Sequence, residues 1–467
     1  MKAIQFVYLY PLLSLLILLG LGGCNSSSAV EGIVITPQQI NDVPVIGDTY
    51  KVSIRADKPW DATVSADWLS VNMLRGINGI MTLTVKANLN EKPREATITL
   101  RNETSEEVIT VAQLGGELSE SQMDSIQYTL PVVFHVLYNK DSVNQRVPQE
   151  VLQRLMIKVN QLYRGEIANR EQTDYAIPDK NDMAIQFALA AHGPDGNLLP
   201  EPGINRVEIP ENELPYEKVM NDPAGGPYHR LAWDKTKYIN IFLFQFKKDV
   251  ATTGAGIVLG VAHMPYAPNG VDIEGLLTYN EASLRNYNHC VVINSKGIYS
   301  NRPSYSTGYR ATVDAATTIA HELAHYLGLY HVFAEEHSPE GNRMVDQCID
   351  SDYCSDTKSY NRVSYQQQLL RLGPSPSYSE IVGFFSRTNC AGERFPSYNI
   401  MDYEFTDSFH FTSEQRRRMR QCLYYSPVVP GQKHAVATQP ALRSSGVPVK
   451  PIVCVCGGNG LEVHVSP

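Results

Sequence analysis

Residues 317–333 read TTIAHELAHYLGLYHVF. This stretch is the strongest sequence evidence for the fold of the chain and for its chemistry. It contains the order H-E-x-x-H-x-x-G-x-x-H, formed by His321, Glu322, His325, Gly328 and His331. Helix positions four apart share a face, so His321 and His325 can direct their imidazoles at one metal ion. The alternative is that the histidines simply pack on a core helix, but the full spacing is far rarer than a bare H-E-x-x-H.

The other residues of the motif complete a catalytic metal site. Glu322 is rotated by about 100° from His321 around the helix axis, where its carboxylate can reach a reacting water. Gly328 can adopt a positive φ and end the helix, so that His331 approaches the same ion from outside the helix. Three neutral imidazoles leave one tetrahedral position open, which is typical of a catalytic zinc. We therefore predict one Zn²⁺ bound by these histidines, with Glu322 as general base.

A second element lies about 70 residues downstream, where residues 399–403 read NIMDY. This segment resembles the Met-turn of the metzincins, in which the methionine forms an apolar floor below the metal. Met401 is that methionine, and ordinary core packing is its alternative role. Tyr403 stands where some metzincins carry a tyrosine that stabilises the transition state, a role that we assign to it as a hypothesis. Its alternative is a buried aromatic residue whose hydroxyl bonds to the backbone.

The chain from about Leu130 onward is similar to the pappalysin-like metzincins. The matching segments, besides the two motifs, are Leu130–Leu137, 259–265 (LGVAHMP), 352–357 (DYCSDT), and Phe411-Thr412 with Gln415 and Arg418-Met419. The resemblance implies an α+β catalytic domain over 129–425, with a mixed twisted sheet, a backing helix and the active-site helix. It also implies a metalloendopeptidase that acts on proteins or peptides. Unlike many relatives, the chain has no cysteine just after the Met-turn, so the family's disulfide pairing cannot be transferred.

Local patterns support the same α+β architecture. Leu130–Leu137 is a buried-strand pattern, and Pro148 precedes a helix with apolar residues at helical spacing. Thr412 to Gln415 form a capping box that begins the last helix of the domain. The resemblance to metzincins implies that Leu259–Met264, which ends at Pro265, is the exposed sheet edge along which the substrate binds as an antiparallel strand.

The first residues predict export. Residues 1–23 form a signal peptide, and Leu21-Gly22-Gly23-Cys24 resembles the lipobox of bacterial lipoproteins, which implies an acylated Cys24 and a tether over 24–31. An uncleaved membrane span is the alternative. The complete layout resembles Bacteroides-type zinc metalloproteinase lipoproteins. We therefore expect a protein that is lipid-anchored to the bacterial outer membrane, on its periplasmic or cell-surface face.

Residues 32–115 contain short β-branched runs separated by turns, which predicts an all-β sandwich. Segments such as 66–71 (ADWLSV) and the closing Gln113-Leu114-Gly115 resemble the immunoglobulin-like BACON domain. The resemblance implies a host glycan or mucin as a partner. The alternative role for Trp60 and Trp68 is core packing, which we favour over a sugar-stacking platform. Residues 116–128 are polar and predict a linker, and 426–467 predict a loosely ordered tail.

Charge and cysteine content limit the remaining possibilities. A net charge of -9 over 467 residues gives no indication of a phosphate-backbone partner, so we expect no nucleic acid. Cys24 apart, the cysteines are odd in number, and an exported protein could oxidise pairs among Cys348, Cys354, Cys390 and Cys422. Asp350, Asp352 and Asp356 could hold Ca²⁺, although solvated turn carboxylates are favoured. Cys454 and Cys456 are too close together for a known zinc spacing.

Two other function classes compete with the endopeptidase. The chain could be a surface adhesin whose sandwich binds a glycan and whose metzincin fold is inactive. The intact general base argues against this, because decayed enzymes usually lose that residue before the metal ligands. Hydrolysis of a non-peptide bond rests on nothing beyond the metal site.

Overall fold

The computed structural model describes residues 31–90, 92–142, 145–167, 176, 178–247, 252–253, 256–299, 314–372, 377–403, 405–434 and 447–459. The predicted signal peptide, Cys24 and all but the last residue of the predicted tether lie outside these residues. Among the described helices, none is both long and apolar enough to cross a membrane. The chain forms two compact units, Met1–Lys86 with Arg94–Gln113, and Ala87–Pro93 with Leu114–Pro467.

The first unit is the predicted all-β sandwich. Its strands are β1 (Ile33–Thr36), β2 (Gln39–Val43), β3 (Asp48–Ala56), β4 (Trp60–Val64), β5 (Leu69–Val71), β6 (Arg75–Gly76), β7 (Gly79–Val85), β8 (Arg94–Arg101) and β9 (Glu106–Gln113). They form one sheet in the order β1-β3-β7-β5 and a second in the order β2-β9-β8-β4-β6. Buried and exposed residues alternate along β8 and at the end of β3, as expected when one sheet face packs on a core.

The tryptophans of this unit belong to its core. Trp60 is buried, and its indole N–H donates a hydrogen bond of 2.9 Å to the carbonyl of Ile77. Trp68 is partly buried against the same core, and the guanidinium of Arg94 covers its ring at 4.3 Å. Both observations favour core packing over a sugar-stacking platform.

The second unit contains helices and strands in mixed order, which confirms the α+β class. Its elements are α1 (Glu120–Ser125), β10 (Tyr128–Tyr138), α2 (Gln149–Tyr163), β11 (Ile185–Leu189), β12 (Ile204–Glu208), α3 (Tyr216–Met220), β13 (Ile239–Phe244), β14 (Thr252–Thr253), β15 (Gly256–His263), α4 (Glu281–Asn286), β16 (Cys290–Asn294), α5 (Ala315–Tyr326), β17 (Glu335–Ser338), β18 (Gly341–Met344), α6 (Arg362–Leu369), α7 (Tyr378–Gly383), β19 (Ser386–Thr388), β20 (Arg394–Pro396), α8 (Ser413–Tyr425) and β21 (Val453–Asn459).

One mixed sheet organises this unit. Its order is β11-β10-β13-β16-β15-β14, with β12 also paired to β10 and β21 paired to β15. The strands from β11 to β16 run parallel, whereas β15 runs antiparallel to β16. Every residue of β13 and β16 is buried, as expected for strands covered on both faces. Helix α2 buries its apolar stripe, and its Tyr163 hydroxyl donates to the carbonyl of Ala320 in α5 at 3.1 Å, which ties the backing helix to the active-site helix.

Two predicted boundaries need correction. The predicted linker 116–128 contains α1, which begins with a capping box between Ser119 and Gln122. Arg420 of α8 donates hydrogen bonds to two carbonyls at the end of that segment, so it packs against the catalytic unit. The predicted loose tail 426–467 contains β21, because the β-prone Val-Cys-Val-Cys run finds a backbone partner in β15.

Candidate active site

Helix α5 ends where the motif requires. Its first turn is capped by the carboxylate of Asp314, which accepts hydrogen bonds from two backbone N–H groups. Gly328 has a φ of +100° just after the helix, and its N–H donates to the carbonyl of His325 at 2.8 Å. A Cβ atom at this position would lie 2.4 Å from the sulfur of Cys422, so both the backbone conformation and the space favour glycine. The chain can therefore turn back toward the helix face immediately after the second histidine.

The three motif histidines converge at one point. The Nε2 atoms of His321, His325 and His331 lie 3.1 Å from one another in every pair. Their Nδ1 atoms face acceptors: the carbonyl of Ile400 at 2.6 Å, the carbonyl of Leu329 at 2.7 Å, and the carboxylate of Glu335 at 2.6 Å. Because these acceptors require a proton on each Nδ1, the three Nε2 atoms carry lone pairs and cannot donate to each other. Three lone pairs that point at one position need a cation between them.

The chemistry of this donor set fits zinc. A tetrahedral zinc with Zn–N bonds of about 2.0–2.1 Å separates its nitrogen ligands by about 3.3 Å, close to the observed spacing. Burial lowers the pKa of His321 to about 3 and lowers the pKa values of His325 and His331 as well, which keeps the imidazoles neutral. The three histidines are the residues that would hold the ion.

Glu335 is a positioning residue that the sequence analysis missed. Besides accepting from His331, its carboxylate accepts a hydrogen bond of 2.9 Å from the side-chain amide of Asn342. Burial alone would raise its pKa, but His331 and His337 hold the pKa well below its usual range, so the carboxylate is ionised. Such a carboxylate–histidine pair fixes the tautomer and orientation of a metal ligand. The only sequence signal is an acidic residue four positions after the third histidine, which does not distinguish it from neighbouring Glu336.

Glu322 lies beside the histidines in a buried position. Within the described part of the chain, no hydrogen bond of normal geometry reaches either of its carboxylate oxygens. Burial raises the pKa of Glu322 well above the usual range, and the neighbouring Cys456 thiol offsets part of this increase. The carboxylate packs against Gly260 of β15, where a Cβ atom would lie 2.5 Å from the Glu322 side chain. The Glu322 carboxyl group, buried on the same helix as His321 and His325, is placed to exchange a proton with a molecule bound beside these histidines.

The segment that resembles a Met-turn lies directly at the histidines. The carbonyl of Ile400 accepts from His321, and the carbonyl of Met401 accepts a hydrogen bond of 3.2 Å from the N–H of Val332, next to His331. The Met401 side chain is completely buried. Two backbone carbonyls of the turn therefore bond to the first histidine and to the residue after the third one, whereas the apolar floor formed by Met401 stays a prediction.

Tyr403 also lies against the histidines. Its ring centroid is 5.4 Å from that of His321 and 4.5 Å from that of His331, and the guanidinium of Arg362 stacks on it at 4.1 Å. Its hydroxyl donates to the backbone carbonyl of Val455 at 3.4 Å. Tyr403 is thus close to the metal ligands, as a role in transition-state stabilisation requires. Its hydroxyl also bonds to a backbone carbonyl, as the alternative role requires.

The expectation that β15 has an unpaired edge is wrong for the chain as it stands. β15 pairs with β16 on one side and with β21 on the other, antiparallel in both cases. The second partner brings Cys456 to the metal site, where its sulfur and the ligand nitrogens of the three histidines lie within 4.8 Å of one another. In the described residues, this is the one such grouping of His, Cys, Asp and Glu side chains that could hold a metal.

The calcium hypothesis gains no support. Asp352 is buried and uses its carboxylate to cap its own turn, accepting from the Cys354 N–H at 3.0 Å and the Thr357 hydroxyl at 2.8 Å. Asp356 accepts from the N–H of Glu414 at 2.9 Å. These carboxylates therefore already have protein donors.

The cysteines that flank the site form one disulfide. Cys348 is bonded to Cys390, whereas Cys354 and Cys422 are buried thiols. The bond joins the segment that follows β18 to the one between β19 and β20. It therefore links the loop after the third histidine to the segment that leads into the Met-turn.

Comparisons with known proteins give matches to two family models and to several solved structures. Residues 228–424 match the model of the peptidase M43 family, described as pregnancy-associated plasma protein-A, and residues 58–114 match the BACON model, described as an N-terminal binding domain. Mature mirolysin of Tannerella forsythia, solved with a cleaved peptide, is 22% identical over 63% of this chain and 91% of its own, with a TM-score of 0.42. Mirolysin with a compound is 22% identical over 63% and 90%, with a TM-score of 0.43.

A xyloglucanase of Bacteroides ovatus, solved with a heptasaccharide, is 15% identical over 47% of this chain and 39% of its own, with a TM-score of 0.17. No curated protein matches the chain. Residues 228–424 are therefore similar to the peptidase M43 family, and residues 58–114 are similar to the BACON domain.

Proposed function

We propose that this protein is a zinc-dependent endopeptidase that hydrolyses peptide bonds of extracellular proteins, with Glu322 as its general base. The observation that carries the proposal is the convergence of three Nε2 lone pairs at 3.1 Å, each fixed by an acceptor at Nδ1. Glu322 stands beside this position on the same helix. The match of residues 228–424 to a peptidase family supports the reaction class.

Each group at the site has a separate role in the hydrolysis. A bound zinc ion supplies Lewis-acid chemistry, lowering the pKa of water and polarising the scissile carbonyl. Glu322 accepts the proton of the attacking water and passes it to the nitrogen of the leaving amine. The Tyr403 hydroxyl can donate a hydrogen bond to the substrate oxygen as negative charge develops on that oxygen. β15 offers a backbone edge to a peptide, as an antiparallel strand, only when β21 is displaced from it.

The location of the reaction follows from the sequence rather than from the described residues. We propose that Cys24 is acylated after removal of residues 1–23 and anchors the protein to the bacterial outer membrane. The BACON domain then stands outside the cytoplasm as a binding module, with host glycan or mucin as the partner class. An enzyme in this position meets extracellular proteins as its substrates.

The proposal is tested with purified protein whose metal content is measured before each assay. Zinc-loaded protein should cleave an unstructured protein such as casein, and removal of zinc by a chelator should abolish cleavage until zinc is restored. The same assay is made with the native chain and with a Cys456→Ser chain. If both bind zinc at the three histidines and neither cleaves a peptide bond, the result would favour the adhesin hypothesis.

A further inference from the structure

β21 occupies the outer edge of β15, where a peptide substrate would lie. The two strands pair antiparallel from Val453 opposite His263 to Asn459 opposite Gly256. A hydrogen bond of 2.8 Å from the Met264 N–H to the Ile452 carbonyl continues the pairing beyond the strand. The C-terminal strand thus adopts the direction and position that β-strand addition gives to a bound peptide.

The preceding residues fix this strand in place. The N–H of Val449 donates to the hydroxyl of Ser283 at 2.9 Å, and its carbonyl accepts from the hydroxyl of Tyr266 at 2.7 Å. The side-chain amide of Asn280 donates to the carbonyl of Val447 at 3.1 Å. The segment 447–459 is therefore bound along its length to the catalytic unit.

The hydrogen bonds of Val455 reveal which way the strand faces. Its N–H donates to the side chain of Asn342 at 2.8 Å, and its carbonyl accepts from Tyr403 at 3.4 Å. Both groups point away from β15, so Val455 and its partner Val261 form a non-hydrogen-bonded pair. The backbone groups of Cys454 and Cys456 consequently face β15.

Cys456 is opposite Gly260, and residues directly opposite each other project to the same face of a sheet. Gly260 has no side chain on that face, and Glu322 fills part of the space. The Cys456 side chain therefore points toward the general base and the histidines, and its sulfur lies 3.7 Å from Nε2 of His331.

This distance fits a fourth zinc ligand. A tetrahedral zinc with a Zn–S bond of about 2.3 Å and Zn–N bonds of about 2.0–2.1 Å places sulfur about 3.5 Å from each ligand nitrogen. The sulfur and the three ring nitrogens also share one cluster within 4.8 Å. Three histidines and one cysteine form a closed coordination shell, whereas catalysis requires an open position.

Burial leads to the same conclusion. With β21 in place, 6% of the surface of His321 is exposed to solvent, and none of the surface of Glu322, His325 or His331 is exposed. A peptide of a protein substrate cannot reach these groups while the strand covers them. The site thus has a full set of metal ligands, but a substrate cannot enter it.

We propose that residues 447–459 are a built-in inhibitor, in which β21 fills the peptide-binding groove and Cys456 supplies a fourth ligand to the metal. The inference rests on the proposed function, since it regulates the same site. On closure, the Cys456 thiol would release its proton to solvent, and its sulfur would take the coordination position that a water molecule otherwise fills. On opening, the sulfur would leave that position to water and take up a proton from solvent, and a substrate strand could then pair with β15. No oxidant or reductant is required.

Cysteine ligation is tested without reference to activity. The full chain is loaded with Co²⁺, and its absorption spectrum is compared with those of the Cys456→Ser and Cys454→Ser chains. Cys454 is the matched control because it is a buried thiol two residues earlier on the same strand. We expect a sulfur-to-cobalt charge-transfer band in the native and Cys454→Ser chains and none in the Cys456→Ser chain. A band that persists in the Cys456→Ser chain, or its absence from the native cobalt-loaded chain, would overturn the ligand assignment.

A second measurement uses the native chain, so it does not depend on the folding of a variant. Zinc-loaded and zinc-free proteins are treated with an alkylating reagent, and modification of each cysteine is followed by mass spectrometry. Zinc should slow modification of Cys456 at least about tenfold more than it slows that of Cys454. Equal slowing of both thiols would contradict direct ligation.

The inhibitory role is then tested by peptidase assay. Cys456→Ser should raise kcat/KM for a peptide substrate at least about tenfold over the native chain, because the competent state is populated more often. Unchanged activity, with the spectroscopic result as expected, would refute inhibition by the strand but not ligation. If neither chain cleaves peptides although the cobalt band behaves as expected, the proposed peptidase function fails and the cysteine ligation stands.

Discussion

Replacing Gly260 with alanine should remove most of the activity without removing the metal. A Cβ atom at this position would lie 2.5 Å from the Cγ, Cδ and Oε1 atoms of Glu322, whereas carbon atoms normally pack at about 3.5–4.0 Å. The carboxylate must therefore move by about 1 Å. A misplacement of that size in a catalytic group costs about 10² in rate. We expect kcat to fall by about 100-fold, with a loss of stability of about 1–3 kcal/mol from overpacking.

The assay measures kcat and KM on a quenched fluorescent peptide in the Cys456→Ser background, so that the thiol does not obscure the effect. Zinc content is measured in the same samples, and it should stay at one ion per chain because the three atoms nearest to an added Cβ all belong to Glu322. The control is Gly383→Ala, where an added Cβ meets no atom within 4 Å. A Gly260→Ala chain that keeps its zinc and its kcat within about threefold would refute the placement of Glu322 as general base.

Three further substitutions test other parts of the account. Glu322→Gln should retain zinc but lose at least about 10² in kcat, because only proton transfer is removed; activity close to that of the parent chain would contradict the mechanism. Glu335→Gln should weaken zinc affinity by about 10–100-fold in a chelator competition, because His331 loses its charged partner, whereas Glu336→Gln, at an exposed side chain in the next position, should not. Equal effects of the two would show that Glu335 does not position the ligand. Cys24→Ala should move the protein from the membrane to the soluble fraction, and continued membrane retention would favour an uncleaved helical anchor.

The sequence was sufficient for those features that depend on local spacing. The H-E-x-x-H motif requires helical periodicity, and α5 supplies it with Gly328 at the predicted turn. The helix after Pro148 and the capping box at Thr412 rest on equally local patterns, and both helices are present as α2 and α8. These features follow from interactions between residues a few positions apart, which a single sequence displays.

The pairing of β21 with β15 could not be predicted in this way. The Val-Cys-Val-Cys run indicates a strand, but nothing in it identifies a partner almost 200 residues earlier in the chain. Cys456 therefore had no assigned role until the backbone brought it to His331. Glu335 illustrates the same limit, because its contact with His331 depends on the turn after the helix and not on a helical spacing.

The pairing pattern also changes how the groove should be tested. A proline at Val261 would not remove a donor to the groove, because Val261 is in a non-hydrogen-bonded pair with Val455. Its N–H therefore faces β16, inside the sheet, and the substitution would damage the core. Gly260 and Ala262 are the residues whose backbone groups face the groove.

The most direct test of the central claim is detection of new peptide amino termini in a denatured protein mixture. The zinc-loaded Cys456→Ser chain is compared with the same chain carrying Glu322→Gln, at equal zinc content and with termini identified by mass spectrometry. The account predicts many new termini with the first protein and at least about 10²-fold fewer with the second. An absence of new termini with the first protein, or equal numbers with both, would contradict a zinc endopeptidase that uses Glu322 as its general base.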